Sequence, residues 1–411
     1  MKNKISLLVV CIVIGLGVFS CYSYYKTGNG KINEDESLDY CNTQVQKTLN
    51  EIENDSCLFP RSIGIDATKW HLTSVYDWTS GFWPGILWYN YENTGNELIK
   101  LKAQQYTNCL IELLNPEHSG DHDLGFQFLC SFGNAYRLTG NEKYKETILK
   151  GAEKLAGFYN PKVGTILSWA HMVTEMGWPH NTIMDNMMNL ELLFWASKNG
   201  GSPEYYNMAE SHARVTMENQ FSENYTNYHV AIYDTINGNL VKRVTNQGLN
   251  DKSFWARGQA WAIYGYTMVY RETGNKDFLR FAEKITDVYL QNLPDDYVPY
   301  WDFDDPAIPN APRDASSASI VASALLELSE LEDDAQKAKE YYLAAENMLV
   351  NLSSEKYRSG TSNSSFLRHS TGNYPAGYEI DASINYADYY YIETLIRYKK
   401  LKKGMAIVDI L

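Results

Sequence analysis

Two aspartates stand where acid–base chemistry would need them. Asp123 lies in His122-Asp123-Leu124-Gly125-Phe126 and Asp185 in Met184-Asp185-Asn186-Met187-Met188-Asn189-Leu190. Each immediately precedes an apolar stretch with helical patterning, which is the place of a helix N-cap, and capping is the simplest reading of either residue alone. Two carboxylates brought to one rim can do more, because their environments can divide them into an acid and a base.

A third segment is denser in chemistry. Asn246-Gln247-Gly248-Leu249-Asn250-Asp251-Lys252-Ser253-Phe254 runs into Trp255-Ala256-Arg257-Gly258-Gln259-Ala260-Trp261 at the start of an apolar helix. Arg257 can offer a planar fork to a carboxylate, and the faces of Trp255 and Trp261 suit a sugar ring. The alternative is an arginine paired with a rim acid and two tryptophans of the core. Asp77-Trp78-Thr79-Ser80-Gly81-Phe82-Trp83-Pro84-Gly85 and Leu167-Ser168-Trp169 also lead into helices, and Pro84 fits a first helical turn. His229, in Tyr228-His229-Val230, stands alone. The chain has no His-Glu-x-x-His, P-loop, Gly-x-Ser-x-Gly or dinucleotide fingerprint, so a metal or nucleotide cofactor has no support and none is expected.

The elements that must position these residues are helical, and an internal repeat sets their arrangement. Tyr91-Glu92-Asn93-Thr94-Gly95-Asn96 recurs as Tyr136-Arg137-Leu138-Thr139-Gly140-Asn141 and as Tyr270-Arg271-Glu272-Thr273-Gly274-Asn275, with a degenerate copy at Ser197-Lys198-Asn199-Gly200-Gly201-Ser202. Glycine in the left-handed conformation closes one helix, and the Asn or Ser after it caps the next. Apolar stretches such as Phe126–Tyr136 and Ala260–Tyr270 precede the turns, and amphipathic ones such as Tyr144–Phe158 and Phe278–Leu290 follow them. Later pairs are expected to begin at Ser316–Leu331 and Asp381–Leu401. The long, irregular spacing of the copies suits an all-α (α/α)6 toroid, with inner helices around a funnel and side chains just before them facing a ligand. A solenoid of helical hairpins is the alternative.

Composition narrows the partners. The 411 residues carry a formal net charge of −14, with 44% hydrophobic and 21% charged residues, the balance of a globular protein. Nucleic acid and anionic lipid both need a basic face and are excluded as partners. An anionic ligand would need a local cation. The 32 Tyr and 10 Trp fit flat apolar ligands such as sugars. Lys2 and Lys4 followed by the apolar run Ile5 to Phe19 read as a signal peptide over 1–20. Ser20-Cys21 resembles a bacterial lipoprotein processing site, with Cys21 lipidated, although Val18-Phe19-Ser20 departs from the usual Leu-Ala-Gly. Ordinary cleavage nearby is the alternative. A polar tether over 21–36 and a catalytic domain over 37–411 would follow, placing the protein outside the cytoplasm, in the periplasm or on the outer membrane, with membrane contact only through the lipid. Of the remaining cysteines, Cys41, Cys57, Cys109 and Cys130, a Cys41–Cys57 bridge and free buried thiols are equally open.

Together these segments resemble glycoside hydrolase family 88, the unsaturated glucuronyl hydrolases, from about Asp77 to the end of the chain. The marks are Trp-Thr-x-Gly-Phe-Trp-x-Gly at 78–85, His-Asp-x-Gly-Phe at 122–126, Asp-Asn-Met-Met-Asn-Leu at 185–190 and Gln-Gly through Trp-x-Arg-Gly-Gln-Ala-Trp at 247–261. Tyr-Trp-Asp-Phe at 300–303 and Arg-Asp-Ala-Ser-Ser-Ala-Ser at 313–319 complete them. The resemblance implies the (α/α)6 toroid, with Asp185 as general acid/base and Asp123 as the second essential carboxylate. It also implies substrate contacts from Trp78, His122, Trp169, His229, Gln247, Trp255, Arg257 and Trp261. The implied substrates are unsaturated uronic-acid oligosaccharides left by lyases acting on chondroitin, hyaluronan or heparin. An Asp185 that starts protonated would need a raised pKa. Family members that favour 6-sulfated galactosamine carry Ser-x-x-Ser-x-Lys near the C-terminal loop. Arg368-His369-Ser370-Thr371-Gly372-Asn373 lacks that pattern here, though Arg368 and His369 could meet another anion. An unsaturated rhamnogalacturonyl hydrolase and a non-catalytic glycan-binding lipoprotein are the competing readings.

Overall fold

Glycine ends the first helix of three hairpins in the way the hexapeptide requires. In the computed structural model, which describes residues 31–52 and 57–407, Gly95, Gly140 and Gly274 have φ of 64°, 64° and 66°. The side chains of Asn96, Asn141 and Asn275 then accept from the backbone N–H two residues on. The degenerate copy turns differently. Asn199 is the C-cap of Leu190–Lys198 with negative φ, Gly200 takes the positive φ, and the next helix waits until Glu204.

Among the described residues six pairs of helices form a ring, four of them joined by these turns. The inner members are Phe82–Thr94, a composite helix over 124–139, another over 184–198, Ala256–Thr273, Ala315–Leu331 and Asn385–Lys402. Their outer partners are Glu97–Cys109, Glu142–Ala156, Glu204–Asn219, Lys276–Gln291, Ala335–Leu352 and the N-terminal Glu34–Glu51. The last inner helix closes the circle against the first: Tyr389 packs on Phe82 and Tyr89, while Lys402 pairs with Glu34 at 2.6 Å. The solenoid alternative is therefore set aside. Glu34–Glu51 starts inside the expected tether, with Asn33 as its cap and Ser37 and Leu38 already buried. The expected signal peptide and Cys21 lie outside the described residues.

Burial separates the two rings. Ala256–Thr273 is buried at every position from Ala256 to Val269, as a helix must be when both its faces meet protein. Its partner Lys276–Gln291 buries one stripe, Phe278, Leu279, Phe281, Ala282, Ile285, Thr286 and Tyr289. At the C-terminal ends of the inner helices a charged network spans the ring. Arg271 reaches Glu191, Glu272 and Glu327, and Arg397 reaches Glu327 and Glu393. The N-terminal ends converge on the other side, where the candidate site lies.

Short strands decorate that side. His180–Ile183, Val230–Tyr233 and Leu240–Val244 form an antiparallel sheet, and Ser383–Ile384 extends the hairpin of Phe59–Ile63 with His71–Thr73. Cys57 is bridged to Cys109, 52 residues away, while Cys41 and Cys130 are buried free thiols. The Cys41–Cys57 alternative is thereby corrected: Cys41 sits on the inward face of the first helix, Cys57 at its far end beside Cys109.

Two buried histidines, His180 in the sheet and His212 on Glu204–Asn219, link stability to pH. Burial pushes His180 down to about 4 and His212, further opposed by His180 and His122, down to about 3. The folded state refuses protons that the unfolded chain binds below about 6.5, so this stability is present above that pH and is lost as pH falls toward 3. For His212 alone the loss reaches about 2 kcal/mol at pH 5. Because the Nδ1 of His212 accepts the Ile166 N–H at 3.0 Å, His212→Asn keeps an acceptor and removes the titration. Thermal unfolding at pH 7 and pH 5 should show a smaller drop in Tm for this variant than for the unsubstituted protein.

Candidate active site

Neither aspartate caps a helix. Asp123 precedes Leu124–Phe128 without any side-chain cap bond. Asp185 lies inside the 3-10 turn Met184–Asn189, which likewise has none. By contrast Asp77 and Asp314 do cap, accepting from Thr79 and from Ser316 and Ser317. The two non-capping carboxylates are 6% and 8% exposed, and a buried carboxylate used for neither caps nor ion pairs to Lys or Arg calls for another role.

Close crossing of two segments brings them together. A Cβ on Gly125 would stand 2.4 Å from the Cα of Asn189, so only glycine lets the Asp123 segment lie on the Asp185 segment. The Asn189 Oδ1 accepts the Phe126 N–H across the crossing at 2.9 Å. Strand pairing supplies the next partner. Ile183 is opposite Val230, and the Met184 N–H donates to the His229 carbonyl at 3.0 Å. The His229 ring is thereby set beside Asp185, with Nε2 facing Oδ2 at 3.6 Å.

Hydrogen bonding fixes which nitrogen of each imidazole carries its proton. The His229 Nδ1 accepts the backbone N–H groups of Asn246 and Gln247, both at 3.2 Å, so the proton of the neutral ring is on Nε2, aimed at Asp185. His122 repeats the arrangement. Because the Asn189 Oδ1 is taken by Phe126, its Nδ2 faces the His122 Nδ1 at 3.3 Å. The His122 Nε2–H then points at the Asp123 Oδ2, 3.5 Å away. Both Nε2 atoms and the Asp185 Oδ2 are buried with no nearer hydrogen-bond partner in the protein.

The two carboxyls are driven apart in affinity for protons. Burial, then the charges of Asp121 and Asp185, push Asp123 well above the usual carboxylate range. Burial also works to raise Asp185, but His229, Arg257 and His122 outweigh it and leave Asp185 below that range. This corrects the expectation of a protonated Asp185. Within the pair, the surroundings therefore favour the proton on Asp123 and the negative charge on Asp185. His122 is held down by burial and so is neutral beside them.

Aromatic rings continue the wall. Half-buried Trp169 meets His229 edge-on at 5.6 Å, and Trp255 lies 4.5 Å beyond. Arg257 sits 4.9 Å over Trp255 and 5.6 Å over Tyr386, which packs 5.1 Å from Trp78. Arg257 is not an open fork. Its guanidinium donates to Asp314 at 3.2 Å, to Gln247 Oε1 at 3.4 Å and to the carbonyls of Thr371 and Gly372. Trp261 is fully buried among Phe126, Tyr386 and Tyr390. It braces the wall, and the expectation of a sugar stacked on it is corrected. Trp255, 2% exposed, has its faces occupied by His229 and Arg257, so the second expected sugar platform is also a brace. The loop that carries half-buried Gln247 is held by Asp302, which accepts from Leu249 N–H and Ser253 Oγ at 2.9 and 2.7 Å. Sequence reasoning missed Asn189, Asp314 and Tyr386. The first two lie in quoted motifs, and Tyr386 had no signal beyond its type.

The C-terminal loop also departs from expectation. Arg368 donates to the carbonyls of Lys356 and Glu355, and His369 pairs with Asp381 at 2.6 Å. With both occupied, the loop serves through its backbone carbonyls at Arg257.

Glycosyl Hydrolase Family 88 matches residues 62–408. The chain belongs to this family. It is 41% identical over 403 residues to an unsaturated glucuronyl hydrolase of Formosa agariphila, covering 96% of this chain and 98% of that one. Among solved structures it is similar to an unsaturated glucuronyl hydrolase specific for heparin, with TM-score 0.84 and 40% identity, covering 92% of this chain and 98% of the other. It is also similar to the unsaturated glucuronyl hydrolase of Bacillus sp. GL1, responsible for the degradation of glycosaminoglycan, with TM-score 0.84 and 30% identity over 90% and 97% of the two chains. The (α/α)6 ring is thus shared, and the chain is a glycoside hydrolase.

Removing the His229 donor should test the electrostatics of the pair. His229→Phe takes away the group that most lowers Asp185, so the acid limb of kcat/KM should move to higher pH and its maximum fall on the order of 10²-fold. An unmoved limb in the pH–rate profile would contradict the pairing.

Proposed function

We propose that this glycoside hydrolase removes the non-reducing-end 4,5-unsaturated uronic acid from glycosaminoglycan oligosaccharides produced by lyases. The observation that carries the reading is the buried carboxyl pair, each member facing an imidazole N–H. The activities named for the similar heparin and glycosaminoglycan enzymes support the substrate class.

The C4=C5 bond of such a uronate is an enol ether. Asp185 delivers a proton to C4, and positive charge develops at C5 and the ring oxygen. Water adds at C5 as Asp185 takes one of its protons back, and the resulting hemiketal opens and expels the remaining sugar. Asp185 is ionised without ligand, so binding must raise it. The incoming uronate carboxylate and the exclusion of water both do so, and the proton held on Asp123 redistributes within the pair. Trp78 and Trp169 offer the partly exposed aromatic edges, and Gln247 a polar contact. Arg257, with its charge close to Asp185, gives the positive field that an anionic substrate of a protein at −14 requires. The protonation pattern also favours a second division, in which Asp123 delivers the proton and Asp185 with His229 receives the proton of water.

Loss of the alkene absorbance of unsaturated heparin, chondroitin and hyaluronan disaccharides measures the reaction. Asp185→Asn should lower kcat by about 10³-fold or more and Asp123→Asn by at least about 10². A fully active Asp185→Asn would overturn the assignment, and hydrolysis confined to an unsaturated rhamnogalacturonan disaccharide would overturn the substrate class. Rescue of Asp185→Asn by a small added nucleophile such as azide would select the second division.

We also propose that the protein is exported and held to a membrane through Cys21. The basic start and apolar run support this, as does the Cys57–Cys109 bridge, since such bridges persist in oxidising compartments. Cys21→Ala should abolish incorporation of labelled fatty acid and release the protein from membranes. Unchanged membrane fractionation of that variant would contradict the anchor.

A further inference from the structure

The Asn189 side chain ties together the two segments that carry the carboxyl pair. It lies on the segment that carries Asp185, four residues on, yet its amide is spent on the segment that carries Asp123. Oδ1 accepts the Phe126 N–H at 2.9 Å, and Nδ2 faces the His122 Nδ1 at 3.3 Å. Asn189 and His122 are both fully buried, so neither can exchange these partners for water. The crossing is tight enough that Gly125 has no room for a Cβ against the Asn189 backbone and side chain.

Amide chemistry matters at this position. An asparagine presents one acceptor and one donor, with fixed roles once Phe126 has taken the oxygen. The donor end can meet only an unprotonated Nδ1, so His122 must carry its proton on Nε2, where it faces Asp123 at 3.5 Å. An aspartate of the same shape would keep the Phe126 bond but offer a second acceptor to Nδ1. That would draw the ring proton to Nδ1 or hold the imidazole charged. It would also remove the Asn189 contact that favours the Asp123 carboxylate and add a like charge near it.

We infer that Asn189 is a positioning residue of this site: it sets the tautomer of His122 and the register of the Asp123 segment on the Asp185 segment. The inference rests on the assignment of Asp123 and Asp185 as the reacting pair, and Asn189 itself touches no substrate.

Asn189→Asp is the informative variant because it preserves volume and the Phe126 bond. Its kcat on an unsaturated disaccharide should fall on the order of 10- to 100-fold with KM changed far less. The limb of the pH profile that reports Asp123 should move to higher pH. In the full-length protein labelled with ¹⁵N-histidine, the His122 signal is assigned by its loss in His122→Gln. Its Nδ1 should read as unprotonated in the natural sequence and as protonated in Asn189→Asp. An active Asn189→Asp with unchanged kcat and pH profile overturns the inference, and so does a protonated Nδ1 in the unsubstituted protein, which needs no variant to fold. Asp185→Asn assayed alongside keeps the two questions apart. If it is inactive while Asn189→Asp is unchanged, only the positioning role fails. If it is fully active, the reading beneath it fails.

Discussion

Two buried carboxyl groups within reach of each other's charge cannot both be ionised cheaply, and the surrounding protein decides which one gives way. Asp123 and Asp185 lie in reach of each other's charge, and everything around them acts unequally. Asp185 has the His229 N–H, the positive field of Arg257 and, more distantly, His122. Asp123 has the further negative charge of Asp121 against it, with Asn189 and the more distant His122 N–H in its favour. The asymmetry follows from which loops meet which helix ends, so the ring of helices serves to make the two members of the pair unequal in their affinity for a proton.

The ring achieves this through its inner ends. Each inner helix starts at the funnel, and the residues just before those starts are the ones that matter: Trp78, Asp123, Trp255 and Asp314 on their turns, and Asp185 within one. The opposite ends are tied by the ion network around Arg271 and Arg397. Breaking one partner there would leave a charge buried and unpaired, a loss of about 3–5 kcal/mol. Rigid packing at one end and polar loops at the other give the site its fixed geometry.

Much of this was legible in the chain. The hexapeptide around Gly95, Gly140 and Gly274 is a local signal, because a left-handed glycine and a capping asparagine need no tertiary contact, and it leads to the hairpins. The aspartates could be found because they precede apolar helices, but capping and chemistry look alike in sequence: at the funnel Asp77 and Asp314 proved to be caps, Asp123 and Asp185 not. Arg257 and Trp261 were legible as types and not as environments. Whether an arginine faces a ligand or a buried Asp314 depends on a residue 57 positions away, and the burial of Trp261 depends on Phe126 and Tyr390. The pairing of Cys57 with Cys109 was hidden for the same reason. The strands beside Asp185 are too short to show a period, yet their register sets His229.

Protonation of the pair can be observed directly. Infrared difference spectra of the unliganded protein at neutral pH, taken between the unsubstituted chain and Asp123→Asn, should show one protonated carboxyl band that the substitution removes. The same band surviving in Asp123→Asn, and disappearing instead only when Asp185 is replaced, would contradict the account.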